Sequence, residues 1–475
     1  MRVFLLPFIL LALSSLQVVW GFLTPIFLAW TFQVLIDARS RRAAVRRGFW
    51  GMTVFFGIFL YWLPISFSKL YGPFGAAMFT PLFFIEGAFW ALMVAVVFNL
   101  SKDRSARLWL LAFGWVVLEW LRHLGMFAFP WGTLGYTLDT LPIIQTADLG
   151  GILLLSLLVT VTAAAIVEAV SSKFAPLLVS LSLWAGGWVY GLTRTLPTGP
   201  EHQATLVQGN IDPLKKAADV NNTLGTVDIY NRLSQGEGLF IWPETAIKDM
   251  DLPLAQPSQL ITGVADLSGG HNQVLSREMD PQKNEFHFTF HNKLRLVPFG
   301  EWIPWRQELD GLYDLVERQL GIYLISTQQG TTAKPLEING QKFGTYICYE
   351  SVYGWMARQM ALDGANVLVN VSNDAWFGDG AGLKQHYAMG RIRAIETHRY
   401  ILRAGNTGIT SVIDPLGRTL DRLPIQQEGA LKVTYQSLNG TTLYMLLGDW
   451  LVLGICLFGS VWVIFTGSRR ARGLL

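Results

Sequence analysis

Three polar residues that could together perform acyl transfer lie about 50 residues apart in the chain: Glu244, Lys293 and Cys348. Each stands near a short strand-like run, and strand ends are where α/β domains usually keep their chemistry. A cysteine attacks as its thiolate, and a neighbouring cation such as Lys293 lowers the thiol pKa and stabilises an oxyanion. Glu244 is suited to accept the thiol proton. The set predicts nucleophilic catalysis through a thioester.

The stretch "TYICYESVYG" raises an objection, because it places Glu350 two residues after Cys348. A nearby negative charge disfavours a thiolate, and a lone cysteine is more often a buried core residue than a nucleophile. Lys293 and Glu244 shift the balance to catalysis, provided that Lys293 dominates the local field. The other cysteine, Cys456, lies in an apolar run, where we expect it to pack.

The three residues belong to a segment, 201–436, that contains charges, turns and short strands. Runs such as "HQATLVQGNI", "GLFIWPETAI" and "ANVLVNVSND" are β-branched or aromatic and end in polar turns, whereas "QHYAMGRIRAIETH" has helical spacing. This alternation predicts an α/β layered domain.

The rest of the chain has the composition of a membrane protein. Apolar residues make up 51% of the 475 residues and charged residues 15%, and the mean hydropathy is +0.34. We predict a polytopic α-helical membrane domain at 1–195 with seven spans, an eighth span at 444–466 and a basic tail at 467–475, each span being near the ~20 residues that cross a bilayer. A net charge of +3 gives no reason to expect a nucleic-acid partner, and two cysteines exclude a disulfide framework.

Basic residues in the loops predict the orientation. The loops "DARSRRAAVRRG", "SKDRSAR" and "SSKFA" and the C-terminal arginines fall on one side of an eight-span arrangement, which the positive-inside rule makes cytoplasmic. Both termini are then cytoplasmic, and segment 201–436 is exported. A cleavable signal peptide at the N-terminus is the alternative, but its removal would break the alternation of charged loops. Glu119, in the fifth span, is either functional or an interfacial ion pair with Arg122.

Several ordered motifs carry a family resemblance: "FPWGTLGY", "WPET", "NKLRLVPFGEWIPW", "ICYES" and "VSNDAWFG". With them the chain resembles the nitrilase superfamily and, within it, the bacterial apolipoprotein N-acyltransferase family. The resemblance implies an exported nitrilase-like αββα sandwich inserted before the last of about eight spans. It also implies that the strand ends at Cys348 in a sharp turn, so that Glu350 supports the site from behind.

The same resemblance implies a reaction and a location. Cys348 would take an acyl chain from a membrane phospholipid and pass it to the N-terminal α-amine of a diacylglyceryl-cysteine lipoprotein. The enzyme would be a monomer in the bacterial inner membrane with its catalytic domain in the periplasm, and would use no cofactor and no metal. Two alternatives stay open: a membrane-tethered amidase, and a divergent relative from conjugative-transfer or envelope-assembly systems with another acceptor.

Further residues take roles by resemblance only. Those expected to support the site are Glu301, Glu350, Tyr349 and Asn373, and those expected to bind lipid are Trp242, Trp302, Trp376 and Phe377. Asn373 and Asp374 could instead form a helix-capping turn, and Trp376 and Phe377 could be core residues. We expect His386 and His398 to pack rather than to bind metal, because they do not share a helix face. "HNQVLS" and "FHNK" depart from the family pattern and leave substrate recognition open.

Overall fold

A computed structural model describes residues 3–16, 18–212, 215–216, 225–248, 259–266, 270–280, 282–283, 285–320 and 326–471. The last residues of the predicted basic tail, 472–475, lie outside these ranges. Contacts divide the chain into two units, Met1–Thr195 with Leu446–Leu475, and Leu196–Met445.

The described helices are α1 (Leu6–Leu16), α2 (Thr24–Ile36), α3 (Arg41–Phe59), α4 (Trp62–Phe79), α5 (Pro81–Leu100), α6 (Arg104–Leu121), α7 (Ala147–Val170), α8 (Ala175–Leu192), α9 (Thr226–Leu233), α10 (Asp310–Leu320), α11 (Gly354–Leu362), α12 (Ala381–Thr397), α13 (Leu443–Leu447) and α14 (Trp450–Ala471). The described strands are β1 (Glu201–Gln208), β2 (Leu239–Ile241), β3 (Ile247–Lys248), β4 (Gln259–Asp266), β5 (His271–Asp280), β6 (Glu285–Asn292), β7 (Leu336–Ile338), β8 (Gln341–Ile347), β9 (Val367–Ser372), β10 (Ile401–Gly405), β11 (Ser411–Ile413), β12 (Thr419–Arg422) and β13 (Gly429–Gln436).

The first unit is helical, and some of its helices are long and apolar enough to cross a bilayer. Within the described residues four helices meet that condition, or five if the bent pair α3 and the start of α4 forms one span. Helix α1 and the segment Trp20–Ile36 are apolar but shorter, because the first two apolar runs are broken by the 3-10 turn Val18–Leu23. The count of eight spans therefore stays a prediction.

Two buried carboxylates of the first unit have different partners. Glu119 is completely buried and accepts hydrogen bonds from the backbone N–H of Leu134 at 2.9 Å and from Trp115 Nε1 at 3.0 Å. Arg122 instead pairs with Glu86, with Nε 2.9 Å from Oε2. The carboxylate of Glu119 is thus held by neutral donors, and Arg122 pairs with Glu86 rather than forming the ion pair with Glu119 that was one of the two alternatives.

The second unit is built on two β-sheets. One has seven strands in the order β13-β1-β2-β4-β5-β6, with β3 beside β4, and the other has six in the order β12-β11-β10-β9-β8-β7. The central pairs β1–β2, β2–β4, β8–β9 and β9–β10 are parallel. Parallel strands have both faces covered, and β9 reads "VLVNVS" with all six residues buried.

The two sheets pack face to face, and helices cover their outer faces. One buried cluster joins Leu206 and Ile261 of the first sheet to Ile347, Val369 and Leu402 of the second. On the other face of the first sheet Tyr230 of α9 packs with strand residues. Against the second sheet lies α11, so close that a Cβ on Gly344 would sit 2.8 Å from Met360 Cβ. The layers are therefore α, β, β, α.

Candidate active site

Cys348 occupies a sharp turn at the end of a central strand. Strand β8 ends at Ile347, and Cys348 begins the 3-10 turn Cys348–Val352 with a φ of +48°. Left-handed backbone is uncommon for a residue with a side chain and marks functional positions. The end of the strand at Cys348 agrees with the sequence prediction, so Cys348 and Glu350 do not share a strand face.

Lys293 lies just beyond β6 and is paired with two carboxylates. Its ammonium donates to Glu244 Oε1 at 3.0 Å and to Glu301 Oε1 at 2.6 Å, and the side chain is only 1% exposed. Burial disfavours the charged ammonium, but the charges of Glu244 and Glu301 outweigh burial and raise the pKa of Lys293. Lys293 is therefore a fixed cation, and its charge also acts on Cys348.

Glu244 follows β2 and is held from three sides. Besides the bond from Lys293, Oε1 accepts from Asn272 Nδ2 at 2.8 Å, and Oε2 accepts from the backbone N–H of Asn373 at 2.8 Å. The turn that carries Glu244 packs tightly on β4, because a Cβ on Gly263 would lie 2.5 Å from Glu244 Cα. Both carboxylate oxygens of this residue are thus fixed in orientation.

Glu301 completes the cluster around Lys293. Its Oε1 also accepts from Asn272 Nδ2 at 3.0 Å, and its Oε2 accepts from the backbone N–H of Val297 at 2.9 Å. Asn272 therefore bridges the two carboxylates that share Lys293. The four side chains form one hydrogen-bonded unit in which one ammonium faces two carboxylates.

Glu350 supports the site through the backbone. Its Oε1 accepts from the N–H groups of Leu294 at 2.5 Å and Arg295 at 3.1 Å, and its Oε2 accepts from the N–H of Ile347 at 2.8 Å. The residue is completely buried, and three N–H donors compensate for burying a carboxylate. Its carboxylate therefore joins the backbone just before Cys348 to the backbone just after Lys293.

Burial and nearby charges disfavour the thiolate form of Cys348. Burial raises its pKa well above the usual range, and the charges of Glu244 and Asp374 raise it further. Lys293 and a hydrogen bond with Ser372 oppose the shift without reversing it. The expectation that Lys293 dominates the field is therefore wrong, because burial is the larger effect. A base such as Glu244 must take the proton as the sulfur attacks.

The remaining residues expected to support the site contribute in different ways. Asn373 acts through its backbone N–H on Glu244, while its Oδ1 accepts from Asn406 Nδ2 at 3.1 Å. Its side chain makes no capping bond to the following turn, so the alternative of a helix cap is wrong for the side chain. Tyr349 is buried and packs edge-on against Tyr353, with ring centroids 5.4 Å apart.

The residues expected to bind lipid differ in exposure. Trp242 is completely buried, its ring stacks on Tyr230, and its Nε1 donates to Ser234 Oγ at 2.8 Å. We therefore correct its assignment from lipid contact to core. Trp376 is 37% exposed, and Trp302 and Phe377 are half-buried, so these three retain surface that a ligand could reach.

Sequence reasoning missed Asn272 and the Asp374–His386 pair. Asn272 stands in "HNQVLS" at the start of a run of β5 residues that are all buried, but an asparagine carries no stronger signal. Cys348 Sγ, a carboxylate oxygen of Asp374 and a ring nitrogen of His386 lie within 4.8 Å of one another. Asp374 is already paired with Arg403 at 2.7 Å, and this fixed cation makes the group a poor place for a metal ion.

Known protein families match both parts of this chain. The sandwich is that of the carbon-nitrogen hydrolases, and the Carbon-nitrogen hydrolase family model matches residues 203–441. Residues 9–165 match the Apolipoprotein N-acyltransferase N-terminal domain. The chain belongs to the apolipoprotein N-acyltransferase family, which confirms the resemblance seen in its motifs.

Individual relatives match over almost the whole chain. The apolipoprotein N-acyltransferase of Methylococcus capsulatus is 31% identical, covering 95% of this chain and 93% of its own. That of Nitrosomonas europaea is 32% identical, covering 92% of both. A solved CN-hydrolase superfamily protein from Xanthomonas campestris matches at 18% identity and a TM-score of 0.35, covering 50% of this chain and 91% of that one. This last similarity is too weak to support any inference.

Proposed function

We propose that this protein transfers an acyl chain from a membrane phospholipid, through a thioester on Cys348, to the N-terminal α-amine of a diacylglyceryl-cysteine lipoprotein. The observation that carries the proposal is the Glu244–Lys293–Cys348 cluster in a chain that also matches the N-terminal domain of apolipoprotein N-acyltransferases. A soluble amidase has no use for that apolar N-terminal part.

In the first half-reaction Cys348 Sγ attacks the ester carbonyl carbon of the phospholipid while Glu244 takes the thiol proton. Lys293, a fixed cation, hydrogen-bonds the oxyanion of the tetrahedral intermediate. The intermediate collapses to the thioester, and the departing lysophospholipid oxygen takes the proton back from Glu244. This proton transfer suits a thiol whose pKa is raised, because no free thiolate has to exist beforehand.

In the second half-reaction the α-amine of the acceptor attacks the thioester. Glu244 removes a proton from the attacking nitrogen, the C–S bond breaks, and an amide forms. The thiolate that leaves is reprotonated by Glu244, which restores the resting site. Glu301 and Asn272 hold Lys293 and Glu244 in place during both halves.

We place the apolar helices of 1–195 and 444–466 in the inner membrane, with about eight spans, both termini and the tail 467–475 in the cytoplasm, and domain 201–436 in the periplasm. The arginine-rich stretch that includes the first turns of α3 and the lysine and arginines of "SKDRSAR" support this orientation. Trp302, Trp376 and Phe377 are proposed to meet the lipid substrate, since their rings are partly exposed.

Intact mass spectrometry tests the proposal. Purified protein mixed with phospholipid vesicles should gain the mass of one acyl chain, and Cys348→Ser protein should gain none. Adding a diacylglyceryl-cysteine peptide should remove the acyl mass and yield an N-acylated peptide. A wild-type protein that never acquires an acyl group would overturn the proposal, and turnover of soluble amides without lipid would favour the amidase alternative.

A further inference from the structure

His386 lies directly behind the nucleophile and has no part in the acyl-transfer steps described above. It belongs to α12 and is completely buried. Its Nδ1 is 2.9 Å from Asp374 Oδ1, and its Nε2 is 3.0 Å from both the backbone oxygen of Cys348 and Ser351 Oγ. One ring therefore connects a buried carboxylate to the backbone of the nucleophile.

Asp374 determines which ring nitrogen carries hydrogen. Burial favours its neutral form, but Arg403 and His386 outweigh burial and hold the pKa of Asp374 well below its usual range. An ionised Asp374 only accepts, so Nδ1 of His386 must donate to it. Nε2 lies 3.0 Å from the carbonyl oxygen of Cys348, and in a hydrogen bond between them Nε2 is the donor, because a carbonyl oxygen only accepts.

Asp374 is also bonded by Arg403, whose guanidinium lies close to the ring. Arg403 Nη2 lies 2.7 Å from Asp374 Oδ2 and 3.4 Å from His386 Nδ1. Phe377 covers the ring, with centroids 5.4 Å apart. Asp374 thus accepts from His386 of α12 and from Arg403 of β10, in addition to the Ser372 hydroxyl.

A closed set of hydrogen bonds results, beginning and ending at Cys348. Ser372 Oγ donates to Asp374 Oδ1 at 2.6 Å and also bonds to the Cys348 thiol. From Asp374 the set continues to His386 and returns to the Cys348 carbonyl. The conformation it encloses is the left-handed one at φ +48°, which is unfavourable for a residue with a Cβ.

We propose that His386 is a positioning residue for the nucleophile, because its Nε2–H bond to the Cys348 carbonyl holds the left-handed turn that aims Sγ into the site. Asp374 fixes the ring, and Ser372 connects the same carboxylate to the thiol. The proposal rests on the proposed function only in taking Cys348 as the nucleophile. Its test therefore includes a reaction of the thiol that needs no lipid.

Two substitutions separate the contacts of the ring. In His386→Gln the amide nitrogen can take the place of Nε2 and donate to Cys348, but the bond to Asp374 is lost. In His386→Asn the amide nitrogen takes the place of Nδ1 and keeps Asp374, but the bond to Cys348 is lost. Full-length protein in detergent is used for both, with His202→Gln on β1 as a control. The measurements are the rate of Cys348 alkylation by iodoacetamide, the rate of acyl-enzyme formation, and the thermal unfolding temperature.

If His386 positions Cys348, His386→Asn should slow both reactions by about tenfold, the effect of losing one hydrogen bond of ~1–1.5 kcal/mol. His386→Gln should stay within about threefold of wild type, on the same basis. If the ring only stabilises the fold through Asp374, His386→Gln should be the slower variant. That result, or equal rates for the two variants, would overturn the proposal. If Cys348 of the wild-type protein is alkylated by iodoacetamide but never acylated by phospholipid, the proposed function is wrong. The alkylation rates of the two variants still test the role of His386.

Should both variants fail to fold, Ser372→Ala provides a second test with little change in volume. The Ser372 hydroxyl links the Cys348 thiol to Asp374, so its removal should change the pH profile of alkylation. It should also slow acyl-enzyme formation at neutral pH. A profile that superimposes on that of wild type would show that the Ser372–Asp374–His386 set does not act on the nucleophile.

Discussion

Glu350 Oε1 accepts a hydrogen bond from the backbone N–H of Leu294 at 2.5 Å. That bond joins the segment carrying Lys293 to the turn carrying Cys348, since Glu350 also accepts from Ile347 on the other side of the cysteine. A carboxylate that looks harmful to a thiol in the sequence is thus saturated with backbone donors. Its structural effect is to fix the distance between the cation and the nucleophile.

Glu350→Gln tests this connection. The new amide presents an N–H group to backbone N–H groups and removes the charge that three donors share, so acyl-enzyme formation should fall by about 10–100-fold. The rate is measured by intact mass spectrometry after mixing with phospholipid vesicles. Glu337→Gln, on an exposed position of β7, is the matched control and should behave as wild type. A folded Glu350→Gln protein with an unchanged rate would contradict the role assigned to Glu350.

Trp242 and Trp376 should differ in what their loss affects. Trp242→Ala opens a cavity in the core, which costs about 3–5 kcal/mol and should lower Tm by roughly 10 °C. Trp376 is 37% exposed, so Trp376→Ala should leave Tm nearly unchanged and instead slow acylation from vesicles. Thermal unfolding of the solubilised chain and the acylation rate are compared for both. A large decrease of Tm in Trp376→Ala would show that Trp376 acts as a core residue and not as a lipid contact.

Much of the fold and the centre of the site are predictable from local sequence. The strand that ends at Cys348 is visible because apolar β-branched and aromatic residues run up to it and polar residues follow. Glu244, Lys293 and Cys348 can be grouped because each has a residue type with its own chemistry at a strand end.

Other features depend on distances that no local pattern contains. Burial raises the pKa of Cys348 more than the charge of Lys293 lowers it. The burial of Cys348 depends on the packing of the two sheets. Trp242 and Trp376 look alike in sequence, but the first is buried against Tyr230, whereas the second is 37% exposed. Asn272 and His386 matter through partners far along the chain, which spacing alone cannot reveal.

The reactivity of Cys348 should depend on pH in a defined direction. The thiolate is the charged form that burial disfavours, so the raised pKa of Cys348 means that alkylation by iodoacetamide keeps accelerating above pH ~8.5, where an ordinary cysteine levels off. Lys293→Met should move the profile to still higher pH, because Lys293 opposes the shift.

Rates of alkylation between pH 6 and 10, roughly the range that brackets an ordinary thiol, provide the measurement. Cys348→Ser protein reports any labelling of Cys456, and Lys283→Met, an exposed lysine, is the control for the loss of a cation elsewhere. A plateau at or below pH ~8.5 in wild type would mean that the nucleophile is preactivated as a thiolate. Glu244 would then not be needed to remove its proton.

Asn272 should be necessary because one amide group holds both carboxylates that share Lys293. Asn272→Ala removes two donors to charged acceptors and should slow acyl-enzyme formation by about 10–100-fold. Asn272→Asp has almost the same shape but places a third carboxylate about 3 Å from the other two, where like charges repel strongly, so it should be the slower variant. Asn339→Asp, in the turn between β7 and β8, is the matched control. If Asn272→Asp were as active as Asn272→Ala, the amide would serve packing alone, and the orientation of Glu244 would rest on Lys293 and the backbone of Asn373.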